Sequence, residues 1–502
     1  MMPYKQEKFF TFLFLMTIKI SFLVQASFSF QLSRSILASG TITYWPRVDV
    51  RINVNKIIGI NNLSLGFHLD HSSWIGFLKY PARQQLARDA NFKLIRVFDF
   101  RQTNPRLMPC LYWNESSKSG VWDWTNVDAL TQKIFEVGAE PLFCLGWARD
   151  NIQKYIPPGM EVNPVTQLPF PESYAAYAAE WVKHFKELGF PVRYYQIMNE
   201  PATYFGWSPI NRTKLSYYVQ LWNTVARAMR SINPDVRLSH DCITRKGVLE
   251  YWIQYGDDVD FLDFHKYDHY GNEGWPPLDD ATILARAESI CFETSLTLWG
   301  VEEARQMWYT ARGRWLPVIN SESNLNSYYE TGTDPRIQQM VGAVWTAIVL
   351  RTGVLKGLRY NVYYEFSSSK SYGETTETGG YGFGMINSDN NKPWYPYYVH
   401  YIFGNSLSDG DLLVESDSSS DDLKVLAWIH NQKLNVLIIC KVDQPRTVYL
   451  YGLKGQINIS RIDNTVPWET PNLQKEVIDD NAPITLNGYT VALLQTELST
   501  KF

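Results

Sequence analysis

Residues 192–201 read Val192-Arg-Tyr-Tyr-Gln-Ile-Met-Asn199-Glu200-Pro201, and the fold turns on this stretch. Its aromatic and aliphatic run is that of a buried strand, and Pro201 cannot continue a central strand's hydrogen-bond ladder. Asn199 and Glu200 therefore stand at a strand's carboxyl end. In parallel barrels of alternating strands and helices, that end carries the catalytic groups. The plain alternative is a carboxylate that only caps the next helix.

Working outward, the same alternation recurs on both sides. Before the stretch, Leu63–Asp70, Phe92–Phe98 and Pro141–Trp147 have the texture of strands. Helices are expected over 82–90, 124–137 and 172–188, the last two ended by Gly138 and Gly189. After it come a helix from Lys214 to Ile232, the strand Val236–His240, a short helix over 248–255 and the strand Val259–His265. A long helical region over 282–311, the strand Trp315–Glu322, a helix over 336–351, the strand Gly357–Tyr364 and a helix over 395–403 complete the set. Eight strand–helix pairs over residues 60–405 predict an α/β fold, a (β/α)8 TIM barrel. An open doubly wound sheet lacks support, because no glycine-rich phosphate loop follows the first strand.

Beyond Ser408 the texture changes. Ser416–Asp422 is a polar loop, and Leu423–Ile429, Leu434–Cys440 and Thr447–Tyr451 are short strands separated by turn residues, the pattern of a C-terminal β-sandwich domain. Thr41–Tyr44 and Val48–Val54 alternate with period two ahead of the barrel. Unpaired, they would leave open edges, so they are expected to pair with that domain. The domain reading is 1–27 leader or anchor, 28–55 N-terminal strands, 56–407 barrel and 408–502 β-sandwich.

The leader reading rests on Lys5 and Lys8, the apolar run Phe9–Ile18, its resumption from Ile20 to Val24, and Ala26 before Ser27. Lys19 interrupts the run, which weakens a permanent membrane helix; an uncleaved anchor stays open. Export, secreted or membrane-anchored, is the expectation. Four Asn-X-Ser/Thr triplets, at Asn62, Asn114, Asn211 and Asn458, are compatible with it. Lys+Arg 47 against Asp+Glu 51 gives −4, a balance that favours neither nucleic acid nor an anionic membrane surface. The five cysteines are scattered without CxxC spacing, so zinc is not expected and buried, inert thiols are.

The chemistry lies in Glu200 at the end of the fourth strand and Glu322 at the end of the seventh. Acid-assisted displacement at an anomeric carbon needs two such carboxylates across a glycosidic bond. His68 and Asp70 share one strand face and fit sugar hydroxyls; metal ligation, by His265 or by His68 and Asp70, is the main rival. Trp147, Trp74 and Trp275 are candidate stacking platforms, and each is as well explained by core packing. Glu365, after the eighth strand, is a further acceptor for sugar hydroxyls. No cofactor and no metal are expected.

These motifs resemble the clan A glycoside hydrolases, whose acid/base Glu follows Asn at the end of strand four and whose nucleophile ends strand seven. The resemblance implies Glu200 as acid/base, Asn199 as donor to the substrate 2-hydroxyl and Glu322 as nucleophile. It further implies that Arg96 keeps the nucleophile ionised and that His265 and Tyr267 lie near it. It covers residues 56–405. The long Tyr-Gln-Ile-Met-Asn-Glu-Pro lead-in and the segment Tyr381-Gly-Phe-Gly-Met-Ile-Asn387 … Lys392-Pro-Trp-Tyr395 are most similar to glycoside hydrolase family 39, the β-xylosidase and α-iduronidase group. One departure is Asn-Ser-Glu-Ser around Glu322, where that family commonly has Thr-Glu-Trp or Thr-Glu-Tyr. The expected function is an exported retaining β-glycosidase acting on a carbohydrate substrate. The alternatives are a metal-dependent TIM-barrel hydrolase and a non-catalytic carbohydrate-binding barrel.

Overall fold

The computed structural model describes residues 45–70, 73–98, 107–148, 152–206, 209–240, 244–269, 278–327, 333–368, 382–468 and 470–498. The leader, Thr41–Tyr44, Cys242 and Trp275 lie outside the described residues. Eight strands form one parallel sheet: β1 (Ser64–Asp70), β2 (Leu94–Phe98), β3 (Glu140–Cys144), β4 (Tyr194–Gln196), β5 (Arg237–Leu238), β6 (Leu262–His269), β7 (Val318–Asn326) and β8 (Tyr360–Tyr363). The sheet order is β5-β4-β3-β2-β1-β8-β7-β6. A parallel bridge from Ser239 to Phe261 then links β5 to β6, so the sheet returns on itself.

Inside it, Leu94, Leu142, Phe261, Ile319, Tyr360 and Val362 pack as an apolar floor, with Tyr194 against them. Period-two alternation carries each strand upward from that floor to polar positions. On β2 the step runs from Leu94 to Arg96, on β4 from Tyr194 to Gln196, and on β6 from Phe261 through Asp263 and His265 to Tyr267.

Local chemistry accounts for the helix limits. Pro171 opens the helix Pro171–Leu188, and Gly189 ends it in the left-handed conformation at φ 74°. After the short helix Ala202–Phe205, the helix Arg212–Ile232 begins two residues before the expected Lys214, because the Asn211 side chain accepts the Lys214 N–H and caps it. The helical region over 282–311 is two helices, Asp280–Arg286 and Val301–Arg312. Between them Cys291 has a positive φ of 64°. At Gly300 a Cβ would come 2.7 Å from the Thr294 nitrogen and 2.8 Å from the Phe292 oxygen, so the chain folds back too closely for one continuous helix. The sequence reading also passed over the short helix Ser73–Lys79 and the hairpin Cys110–Asn114/Ser119–Trp122.

The strand Arg47–Ile60 pairs antiparallel with Leu412–Ser418 and parallel with Arg446–Tyr451. It belongs to a nine-stranded, mostly antiparallel sheet with the strands that follow residue 411. In place of two separately bonded layers, hydrogen bonding runs continuously across all nine strands. Both faces are apolar. Val425, Ala427, Val436, Ile438, Ala492 and Leu494 face a core of the sheet's own, whereas Leu426, Trp428, Leu437, Ile439, Val491 and Leu493 join the large core around the barrel. Double-sided burial explains why Leu434–Cys440 is an unbroken apolar run.

Replacing either of two neighbouring residues tests that arrangement. Leu437→Ala and Ile438→Ala should each cost roughly 2–5 kcal/mol, because both side chains are fully buried on opposite faces. Urea unfolding of the purified variants measures it, and a sheet covered on one face only would leave one of the two nearly neutral.

Candidate active site

Regular pairing of β4 stops at Gln196, short of the expected end. Asn199 rejoins the sheet through a single parallel bridge to Trp147, its N–H donating to the Gly146 oxygen at 2.7 Å. Glu200 follows with φ 39°, in the left-handed region that non-glycine residues seldom occupy. Strain of this kind gathers at functional sites. On β7 the register against β6 slips between Asn320 and Glu322, so that Asn320 pairs with Phe264 and Glu322 with His265. This bulge at Ser321 carries Glu322 toward the barrel mouth, a familiar use of bulges beside active sites.

Arg96 organises what lies between. Its guanidinium has no solvent exposure. Nη1 donates to Glu322 Oε1 at 2.6 Å, Nη2 to Asn199 Oδ1 at 2.6 Å and Nε to Gln196 Oε1 at 2.6 Å. His68 Nε2 lies 3.4 Å from Nη1. The Tyr267 hydroxyl donates to Glu322 Oε2 at 2.9 Å. His265 Nδ1 stands between the two carboxylates, 2.8 Å from Glu200 Oε1 and 3.4 Å from Glu322 Oε2. One oxygen of each glutamate and a ring nitrogen of His265 all lie within 4.8 Å of one another.

Burial works to lower the His265 pKa, but the carboxylates of Glu322 and Glu200 outweigh it and hold the imidazole above its ordinary 6.5. Burial, with the same two carboxylates, pushes the Tyr267 phenol well above 10.0, so its hydroxyl stays a donor. Burial dominates at His240 and lowers its pKa despite the nearby Asp263.

Of the residues nominated from sequence, Glu200, Glu322, Asn199, Arg96, His265, Tyr267 and His68 converge in this one cluster. Asp70 is buried at its edge and accepts the Tyr364 hydroxyl at 2.8 Å. Trp147 is half-buried, edge-on to Phe98 at 5.4 Å and to Tyr155 at 5.3 Å. Glu365 is buried beside Tyr364, and its charge acts on Tyr364 and on Arg83. Trp74 is a correction: at 2% exposure it is core, not a platform. Three site residues escaped nomination, namely Gln196, Asp263 and Tyr364. Tyr364 is half-buried, with its ring 4.9 Å from that of His68. The usable signal for Gln196 and Asp263 was a lone polar residue inside an apolar strand.

His265 gives a pH-dependent readout. Because folding raises its pKa above 6.5, protonated His265 contributes stability that is full below pH 6.5 and lost as pH rises through the folded-state value. An NMR titration should find its midpoint above 6.5, and Glu322→Gln should lower it, since it removes the larger of the charges responsible.

No family profile matches the sequence, and no curated protein does. Solved structures do match. A GH39 β-xylosidase from Caulobacter crescentus aligns with TM-score 0.60 at 15% identity, over 90% of this chain and 99% of that one. An α-L-arabinofuranosidase from Thermotoga maritima, in its arabinose complex, aligns with TM-score 0.61 at 13% identity, over 90% and 100%. A glucosidase from Croceicoccus marinus aligns with TM-score 0.63 at 14% identity, over 90% and 99%. Across 90% of its length, the chain has the fold of these glycosidases.

Proposed function

We propose that this protein is an exported retaining β-glycoside hydrolase that cleaves O-glycosidic bonds of β-linked oligo- or polysaccharides by double displacement. The observation that carries the reading is the approach of Glu200 and Glu322, with one oxygen of each inside the 4.8 Å cluster. Retaining enzymes hold their two carboxyl groups about 5–5.5 Å apart, and inverting ones about 6.5–9.5 Å to admit a water.

Glu200 donates its proton to the departing oxygen while Glu322 attacks the anomeric carbon from the opposite face. The glycosyl ester on Glu322 then yields to water, whose proton Glu200 takes as base, and the β configuration is kept. His265 neighbours both carboxylates and pairs with whichever bears the charge, Glu322 before the first step and Glu200 after it. Arg96 occupies the Asn199 amide oxygen, leaving the amide nitrogen to donate to the sugar 2-hydroxyl. His68, Asp70, Tyr364, Trp147 and Glu365 form the remaining sugar-binding wall. In this reading residues 1–27 are a leader or anchor, 56–407 the catalytic barrel and 408–502, with the N-terminal strands, a β-rich domain. The four Asn-X-Ser/Thr asparagines are all exposed, which supports export.

One observation favours a second reading: Glu200, His265 and Glu322 are close enough to grip a cation. Arg96 opposes it, since a fixed positive charge 2.6 Å from Glu322 repels a metal there. Hydrolysis of chromogenic aryl β-glycosides (xyloside, glucoside, galactoside, mannoside) should therefore survive strong chelation. Loss of activity, restored by a divalent ion, would favour the metal-dependent reading.

The two carboxylates should fail differently. Glu322→Ala removes the nucleophile, so every substrate suffers whatever its leaving group. Glu200→Ala should still form the intermediate from activated aryl glycosides, then accumulate it, and azide should speed turnover without needing a base. The product from Glu200→Ala should be the β-glycosyl azide and that from Glu322→Ala the inverted α-azide, assigned by NMR. Exchanged outcomes would reverse the roles, and inversion by the unmodified enzyme would rule out double displacement.

A further inference from the structure

One layer beneath the two glutamates, β6 turns the carboxylate of Asp263 into the barrel, where it has no solvent exposure. A carboxylate withdrawn from water is costly unless donors and countercharge surround it. Asp263 has donors from three strands, and the Arg96 guanidinium supplies the countercharge through space. Gln196 Nε2 on β4 donates to Oδ2, as do Ser239 Oγ after β5 at 3.3 Å and Ser321 Oγ at the β7 bulge at 3.2 Å. His240 Nδ1 lies 3.3 Å from Oδ1.

The consequence runs through Gln196. A side-chain amide has a donor end and an acceptor end, and nothing in its shape says which way it faces. An ionised carboxylate only accepts, so Asp263 draws the Gln196 nitrogen toward itself and turns the oxygen toward Arg96 Nε, 2.6 Å away. Reversed, that amide would set N–H against N–H. With Nε held, the planar guanidinium has one orientation, and its two remaining nitrogens reach Glu322 and Asn199.

We infer that Asp263 is a positioning residue for Glu322 and Asn199, acting through the Gln196 amide and the Arg96 guanidinium. The inference rests on the reading of Glu322 as the nucleophile. Asp263 also lies within Arg96's field and raises its pKa, alongside Glu322 and Cys144. The remaining groups facing this arrangement are His68 from β1, His240 after β5, and His265 and Tyr267 from β6.

The test isolates the nucleophile's step. A deoxyfluoro dinitrophenyl β-glycoside (xyloside or glucoside) needs no acid. The bond from Glu322 to the anomeric carbon forms, the bond to dinitrophenolate breaks with its electron pair, and the glycosyl-enzyme accumulates. Mass spectrometry should first locate the label on Glu322 of the unmodified enzyme; with no label there, the catalytic reading fails and takes this proposal with it. With it there, Asp263→Ala should slow labelling per folded molecule by roughly tenfold or more, as misplacement of a reacting group does. Asp263→Asn, whose amide oxygen can still accept from Gln196, should recover most of that rate. Gln196→Ala should slow labelling similarly, and the double variant Asp263→Ala/Gln196→Ala no further, because the two act in series. A purely structural Asp263 would reduce the yield or Tm of folded enzyme and leave the rate per folded molecule unchanged, which overturns the proposal. Multiplying effects in the double variant overturn it too. Should Asp263→Ala not fold, Gln196→Ala alone decides: a labelling rate per folded molecule equal to that of the unmodified enzyme overturns the proposal.

Discussion

The buried guanidinium of Arg96 constrains everything above the barrel floor. A charged group with no solvent exposure is tolerable only if its N–H groups meet acceptors in the plane of the fork, and an uncompensated one would cost several kcal/mol. Its three acceptors at 2.6 Å come from two strands, Gln196 and Asn199 from β4 and its extension and Glu322 from β7, and His68 on β1 lies farther off at 3.4 Å. To bring Glu322 into reach, β7 carries an extra residue at Ser321. To bring Asn199 into reach, the chain after β4 leaves regular pairing and returns at one bridge. Both irregularities follow from seating a single planar cation.

A layered interior results. The apolar floor of Leu94, Leu142, Phe261 and Ile319 keeps water out from below. Above it lies a belt of polar side chains bonded to one another, and above that the two glutamates. Excluding water from the floor strengthens each bond in the belt, and the same exclusion makes any unpaired member expensive. The belt is therefore rigid because its members satisfy each other, and that rigidity is what a site made of two opposed carboxylates requires.

Much of this was legible in the sequence because it depends on local pattern. Asn199-Glu200-Pro201 marks a strand end by proline alone, and the alternation of strands with helices follows from periodicity. The less legible part depends on other strands. Gln196 looks like an ordinary polar interruption until Arg96 is placed opposite it, and Asp263 like a chance acid until Gln196 is. A bulge has no signature in Ile-Asn-Ser-Glu-Ser, since it is the neighbouring register that makes one residue extra. The break near Gly300 was hidden for a similar reason, as its cause is the backbone of Phe292 and Thr294 rather than any strong helix breaker in the intervening run.

The helix Met340–Leu355 ties the site to the rest of the molecule. It follows β7 and has no polar face, with Val341 to Leu350 buried without exception. A helix apolar all round must be covered all round. Barrel strand β7 covers one side, and strands Lys433–Cys440 and Thr490–Glu497 of the nine-stranded sheet cover another. Arg351, the one charged residue of the helix, donates to the Val425 oxygen of that sheet at 2.7 Å and pairs with Glu288 at 2.7 Å, while Lys424 meets Glu288 at 2.6 Å. The outer face of the sheet thus completes the burial of the element that follows the strand bearing Glu322. A sheet with one solvated face could not do this, so its second apolar face, visible in the unbroken run Leu434–Cys440, belongs to the support of the strand that bears Glu322 as much as to the sheet itself.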